Sequence, residues 1–172
     1  MAMMYGVYSY LRRSDDLVLM VRKPEKESDP NSGLCTLPGG KIEKGEKGLN
    51  PRGRLERAIL ETRQETGLIL LNPQLRGIVL FDNEGRIFDN WKSSKDYMVY
   101  TFVANEYAGD LLKEGGGGET PFWVPEPEIP NLPKNAGDVK IYEWIKTGRF
   151  FMGVIRHKGK ELDEENTFEN YF

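Results

Sequence analysis

Apolar positions dominate residues 3–11 and again 17–22, within DLVLMVRK, and polar positions fall between them. The two runs read as strands, joined by a polar turn at Ser14, Asp15 and Asp16. Residues 24–33 are rich in Pro, Ser, Asp and Gly and read as a loop, and LPGGKIEKGE follows at 37–46. Asn50-Pro51 then reads as an N-cap followed by proline at the first helical position. The helix is expected from Pro51 to about Thr66, with Gly67 placed to end it. Two further strands are expected at 75–82 (LRGIVLFD) and 96–106 (DYMVYTFVANE), the second apolar on both faces as a central strand would be. Gly115–Gly118 reads as a flexible loop, and 121–133 as irregular apart from a short strand at Phe122–Val124. Val139, Ile141, Tyr142 and Ile145 give Asp138–Lys146 helical spacing, and 150–156 form a last strand. From Lys158 the chain turns acidic and is expected to be loosely held. With no repeat and no domain-scale linker, the organisation expected is one domain over 1–158 and an acidic tail over 159–172.

Composition narrows the class. A chain of 172 residues suits one domain, and about 70% of the unfolded surface can be buried at this size without a disulfide or structural metal. The formal net charge of −3 argues against a basic platform for duplex nucleic acid. Cys35 is the single cysteine and His157 the single histidine, so an intrachain disulfide and Cys/His zinc spacing are both excluded. His157 lies in a basic strand-like segment and reads as a surface residue rather than part of a nucleophilic triad. The N-terminal MAMMYGVYSYLRR is too short and too polar for a signal peptide, and no apolar run approaches the roughly 20 residues that span a bilayer. The expectation is a cytoplasmic protein with no membrane partner.

The chemistry concentrates on the helix at 51–66. Glu61, Gln64 and Glu65 lie at i, i+3 and i+4, on one face. Two glutamates so placed repel each other, and a cation between them would reverse that sign. Magnesium takes oxygen ligands and is commonly shared between carboxylates and substrate phosphates. A Gly-Gly turn just ahead of such a helix can bring backbone groups to the same ion. A solvated acidic face with Arg57 and Arg63 as local partners is the competing reading.

GGKIEKGE followed by a helix ending in ETRQETGL resembles the Nudix box. Gly40, Glu46, Glu61, Glu65, Gly67 and Leu68 match it. Leu60 replaces an arginine, Thr62 an apolar residue and Gln64 a glutamate, and 13 residues separate Glu46 from Leu60 where the family has seven. The segments LRGIVLFDNEG, DYMVYTFVANEYAGDL, PFWVPEPEIPNL, AGDVKIYEWI and FFMGVIRH resemble, in order, the downstream half of the mutator-T-like branch that clears oxidised purine nucleotides. The resemblance implies an α/β Nudix fold, a mixed sheet sandwiched between helices.

It also implies roles. Gly40, Glu61, Gln64 and Glu65 stand at the family's metal-binding positions for Mg2+, with Mn2+ as a substitute. Gln64 keeps an amide oxygen but loses a charge. Glu119 is the nearest match to a further loop carboxylate, at an offset from Trp123 one residue short of the common spacing. In the family an arginine holds the early box glutamate, here Glu46; Leu60 cannot, and Arg57 or Arg63 are the substitutes at hand. Lys23 and Lys41 match positions that often contact phosphate, or are surface lysines. Trp123 and Asp138 match purine-selecting positions and are expected to line one pocket, with Trp123 as plain core the other reading. Thr36 stands at the third such position, where the branch has an asparagine; its hydroxyl cannot present an amide pair to a base edge.

The reaction implied is metal-assisted hydrolysis of a phosphoanhydride bond in a nucleoside di- or triphosphate, giving a monophosphate and phosphate or pyrophosphate. Glu61 and Glu65 are the catalytic candidates, Glu65 as base or ligand and Glu61 as ligand. The partner expected is a small nucleotide or another diphosphate, and the sequence is compatible with a homodimer. The alternative is a Nudix-fold nucleotide-binding domain that has lost catalysis, a reading suggested by the three departures inside the box. A scaffold using the acidic tail is a third.

Overall fold

The computed structural model describes residues 4–27, 29–42, 50–82, 87–88, 91–92 and 96–172. The strands are β1 (Met4–Leu11), β2 (Leu17–Arg22), β3 (Cys35–Thr36), β4 (Gly39–Ile42), β5 (Ile69–Leu71), β6 (Gln74–Asp82), β7 (Ile87–Phe88), β8 (Trp91–Lys92), β9 (Tyr97–Ala104), β10 (Glu106–Ala108), β11 (Thr120–Pro125), β12 (Phe151–Lys158), β13 (Glu161–Leu162) and β14 (Phe168–Tyr171). The helices are α1 (Pro51–Thr66) and α2 (Asp138–Lys146).

The main sheet runs β13-β12-β6-β9-β1-β4, with β14 also on β12. It is mixed: β1 lies parallel to β9 and β12 parallel to β6, whereas β6–β9 and β1–β4 are antiparallel. As its uniformly apolar sequence suggested, β9 is interior, held between β6 and β1. A smaller sheet, β11-β2-β3, stands beside it.

Alternation along the strands assigns the faces. Val7, Tyr100 and Phe102 meet Ala58 of α1 in one cluster. Tyr10, Val79, Val99, Phe151 and Ile155 point the other way and meet Ile141, Tyr142, Trp144 and Ile145 of α2, together with Val18, Met20 and Val124 of the small sheet. One helix thus covers each face. Among the described residues no helix is long and apolar enough to cross a membrane.

α1 begins and ends as its sequence requires. The Asn50 side chain accepts from the Gly53 amide at 2.7 Å, and Gly67 adopts φ 81° with its amide donating to the Arg63 carbonyl. The helix buries threonines where apolar residues would be usual. Thr62 donates to the Ala58 carbonyl at 2.8 Å and Thr66 to the Thr62 carbonyl at 2.6 Å, so neither buried hydroxyl lacks an acceptor.

Two expectations are corrected. Gly115–Gly118 is fastened to the helix rather than loose: the Gly116 amide donates to the Gln64 carbonyl at 3.0 Å, and the Gly115 amide to the Glu119 carbonyl at 2.7 Å. The acidic tail folds back, and Phe168–Tyr171 adds a strand antiparallel to Phe151–Val154. An edge strand takes its conformation from its partner's free amides and carbonyls, so its own weak periodicity does not announce it.

Candidate active site

Gly39 and Gly40 open β4, opposite Tyr8 and Val7 of β1. A Cβ at Gly39 would lie 2.1 Å from the Val7 carbonyl oxygen, and one at Gly40 would lie 2.4 Å from the Glu61 carboxyl carbon. Only glycines let this strand run so close to β1 and to α1. The approach brings backbone and helix carboxylates together: the Gly39 amide donates to Glu65 Oε2 at 2.9 Å. Residues 40 and 65, far apart in sequence, therefore share one site.

Glu61 and Glu65 are 9% and 6% exposed, so these two carboxylates are buried rather than solvated, although Arg57 is a local partner as the competing reading expected. Arg57, one turn before Glu61, forms a salt bridge with it. Glu46, which the family arginine would hold, lies outside the described residues. Leu60, in that arginine's place, faces solvent at 41% exposure. Gln64 is exposed at the rim of the same helix face, while its carbonyl receives the glycine loop.

That loop delivers Glu119. Its Oε2 accepts from the Gly117 amide at 3.0 Å, and its Oε1 lies 3.5 Å from Lys23 Nζ. The same ammonium donates to Glu65 Oε1 at 2.7 Å. Burial opposes the Lys23 charge, but Glu65 and Glu119 outweigh it and its pKa stands above the ordinary lysine value. Burial also raises the Glu65 carboxyl above its usual value, against the opposing pull of Lys23 and the Gly39 amide.

The side chains that meet around Gly39, Gly40 and Lys23 offer carboxylate oxygens, from Glu61, Glu65 and Glu119. This set suits a hard cation such as magnesium, and the Lys23 ammonium shows that positive charge is accommodated between Glu65 and Glu119. Among the described residues no three carboxylate, histidine or cysteine side chains converge on one ion position as they stand.

Beside this centre opens a cavity of about 280 Å³ on the α2 face of the main sheet. Lys23, Gly39, Gly40 and Lys41 stand where it meets the carboxylates, and Thr36 and Asp138 line it further in. Asp138, the first residue of α2, is 2% exposed. Tyr8, Phe81, Tyr97 and His157 provide aromatic walls, and Asn31 and Asn135, bonded amide to amide at 3.0 Å, stand at its edge. The Tyr8 phenol is pushed well above its usual pKa, first by burial and then by Asp138.

Two sequence expectations fail here. Trp123 does not share a pocket with Asp138. It packs with Leu11, Leu19, Leu68 and Leu70 on the α1 side, its ring 5.4 Å from that of Tyr107 and under the Arg13 guanidinium. The cause is strand alternation. Phe122 and Val124 take the α2 face of β11, so Trp123 takes the other. Three residues separate Glu119 from Trp123, one fewer than the common spacing, and that shortfall was the legible signal that the faces could be exchanged. His157 is not at the surface. It follows Phe151 and Ile155 on the inward face of β12, is 2% exposed, and stacks on Phe81 with centroids 6.3 Å apart. Inward parity would have found His157, Phe81, Tyr97 and Tyr8 from sequence.

Comparison with known proteins agrees with this architecture. The NUDIX domain family model matches residues 3–145. The uncharacterized Nudix hydrolase YvcI of Bacillus subtilis (strain 168) is 32% identical over 149 residues, covering 87% of this chain and 84% of that protein. The crystal structure of the mutator MutT protein from Bacillus halodurans superposes with TM-score 0.73 at 29% identity, over 98% of this chain and 97% of that one. The NUDIX domain of Shewanella oneidensis NrtR, solved in complex with ADP ribose, shares the fold at TM-score 0.65 and 14% identity, over 86% and 89% of the two chains.

The chain belongs to the NUDIX domain family. It is a Nudix hydrolase, an enzyme of the class that acts on nucleoside-diphosphate-linked compounds and generally depends on a divalent metal.

Proposed function

We propose that this Nudix hydrolase is a magnesium-dependent pyrophosphohydrolase of nucleoside di- or triphosphates, releasing a nucleoside monophosphate and phosphate or pyrophosphate. The observation that carries this reading is the junction at Gly39-Gly40: buried Glu61 and Glu65 on one side, and on the other a cavity with aromatic walls and a buried acid, Asp138.

Glu61, Gln64, Glu65, Glu119 and the Gly40 carbonyl would hold the metal, which when bound supplies charge neutralisation at the phosphates and a more acidic water. Manganese can replace magnesium on the same oxygen donors. Glu65 is the group best placed to take the proton from the attacking water. Burial raises its proton affinity, while the Gly39 amide fixes one of its oxygens. Glu61, steadied by Arg57, serves as ligand. Lys23 and Lys41 stand where a polyphosphate must pass between the carboxylates and the cavity. Asp138 and Thr36 meet the base edge, and Phe81, Tyr97 and His157 supply the flat surfaces Trp123 does not. An oxidised purine is one candidate base among several.

The test is product analysis over a panel of nucleoside di- and triphosphates, oxidised purines and sugar nucleotides, with magnesium and then manganese. The expected result is release of a nucleoside monophosphate from at least one nucleoside triphosphate, with pyrophosphate as co-product. Turnover confined to sugar nucleotides would overturn the substrate assignment.

A further inference from the structure

Glu65 and Glu119 are held in matching ways. Each has one oxygen fixed by a glycine amide, Glu65 Oε2 by Gly39 at 2.9 Å and Glu119 Oε2 by Gly117 at 3.0 Å. Each offers its other oxygen to the same cation: Lys23 Nζ lies 2.7 Å from Glu65 Oε1 and 3.5 Å from Glu119 Oε1. The glycine amides thus fix the orientation of both carboxylates, and the two Oε1 atoms, which take no backbone donor among the described residues, face the same cation. A divalent ion needs oxygens at roughly 2.0–2.1 Å if it is magnesium, and an ammonium cannot share that space with it. Lys23 also lines the cavity in which the phosphates would lie.

We propose that Lys23 is a resident counter-ion that competes with the divalent metal for Glu65 Oε1 and Glu119 Oε1 and is displaced by it. The released ammonium turns toward the phosphate path. Metal binding and phosphate capture are thereby coupled through one side chain, which acts as a positioning residue. Without metal, Lys23 offsets the mutual repulsion of two buried carboxylates; with metal, the ion takes over that task. The inference rests on the reading of these carboxylates as metal ligands.

The test is calorimetric titration of Mn2+, without nucleotide, into the wild-type protein, Lys23→Met, Lys23→Arg and Glu65→Gln. Lys23→Met is expected to bind Mn2+ more tightly than wild type by on the order of tenfold, as for loss of one competing charge in a partly buried site. Lys23→Arg, which keeps the charge, is expected to stay near wild type. Glu65→Gln is expected to bind more weakly. If Glu65→Gln weakens binding but Lys23→Met leaves it unchanged or weaker, the displacement proposal falls and the metal site stands. If Glu65→Gln has no effect, the metal reading itself falls and the proposal with it.

A second measurement needs no folded Lys23→Met. The rate of amine acylation at Lys23 of the wild-type protein, followed by peptide mass spectrometry, is expected to rise several-fold on saturation with Mg2+, because the ammonium loses its carboxylate partners. An unchanged or slower rate overturns the proposal.

Discussion

Gly40 and Glu61 show how one missing Cβ sets the position of a charge. In Gly40→Ala the new methyl would overlap the Glu61 carboxylate, which can swing aside as the end of a flexible side chain. The expected outcome is a small change in melting temperature and a large loss of turnover at low magnesium; an equal loss of both would mean that the glycine serves only the fold. Trp123 and Asp138 separate in the same manner. Trp123→Ala should destabilise by about 2–4 kcal/mol, as loss of a large, partly buried aromatic does, and leave KM within about twofold. Asp138→Asn should raise KM while stability, measured by urea unfolding, changes little. If Trp123→Ala raises KM as Asp138→Asn does, the assignment of Trp123 to the α1-side core is wrong. These residues also show what a sequence reading can and cannot reach. Glu61 and Glu65 were legible because helical spacing fixes their face. Trp123 was misplaced because a resemblance transfers residue identity more readily than strand parity, and one residue of offset exchanges the faces of a sheet.

Among the elements, α1 carries the most consequence because it holds Glu61 and Glu65, the two carboxylates proposed for the chemistry. Its ends were readable from Asn50-Pro51 and Gly67, and the structure places both as expected. Replacing the cap, Asn50→Ala, removes the acceptor for the Gly53 amide and should cost about 1 kcal/mol in chemical denaturation. Glu61 and Glu65 lie toward the other end of the helix, so on the proposed reading kcat at saturating metal should be unchanged. A loss of kcat in proportion to stability would mean that the start of α1 is coupled to the chemistry. The glycine loop and β14 were not legible, for a shared reason. Neither has a periodic pattern, and both take their shape from hydrogen bonds offered by distant elements, the C-terminal turn of α1 and the edge of β12. Contacts of that kind are properties of the assembled fold.

At the scale of the whole molecule, the sheet separates two tasks. The α1 side fixes carboxylates, the α2 side forms the cavity, and β4 with its two glycines is the passage between them. That division accounts for a box that departs from its family at Leu60, Thr62 and Gln64 while keeping the site together. Leu60 points to solvent, Thr62 bonds within its own helix, and Gln64 is exposed, so on the proposed reading its lost charge would weaken metal binding without dismantling the site. The most direct measurement is hydrolysis rate of a nucleoside triphosphate against magnesium concentration for wild type, Gln64→Glu and Glu65→Gln. The account predicts that Gln64→Glu reaches half-maximal rate at a lower magnesium concentration, by a factor of roughly five for a net gain of about 1 kcal/mol. It predicts that Glu65→Gln loses on the order of 10²–10⁴-fold in maximal rate, the usual contribution of a positioned base. Three coincident curves would contradict it, because the α1 carboxylate face would then have no part in holding the metal.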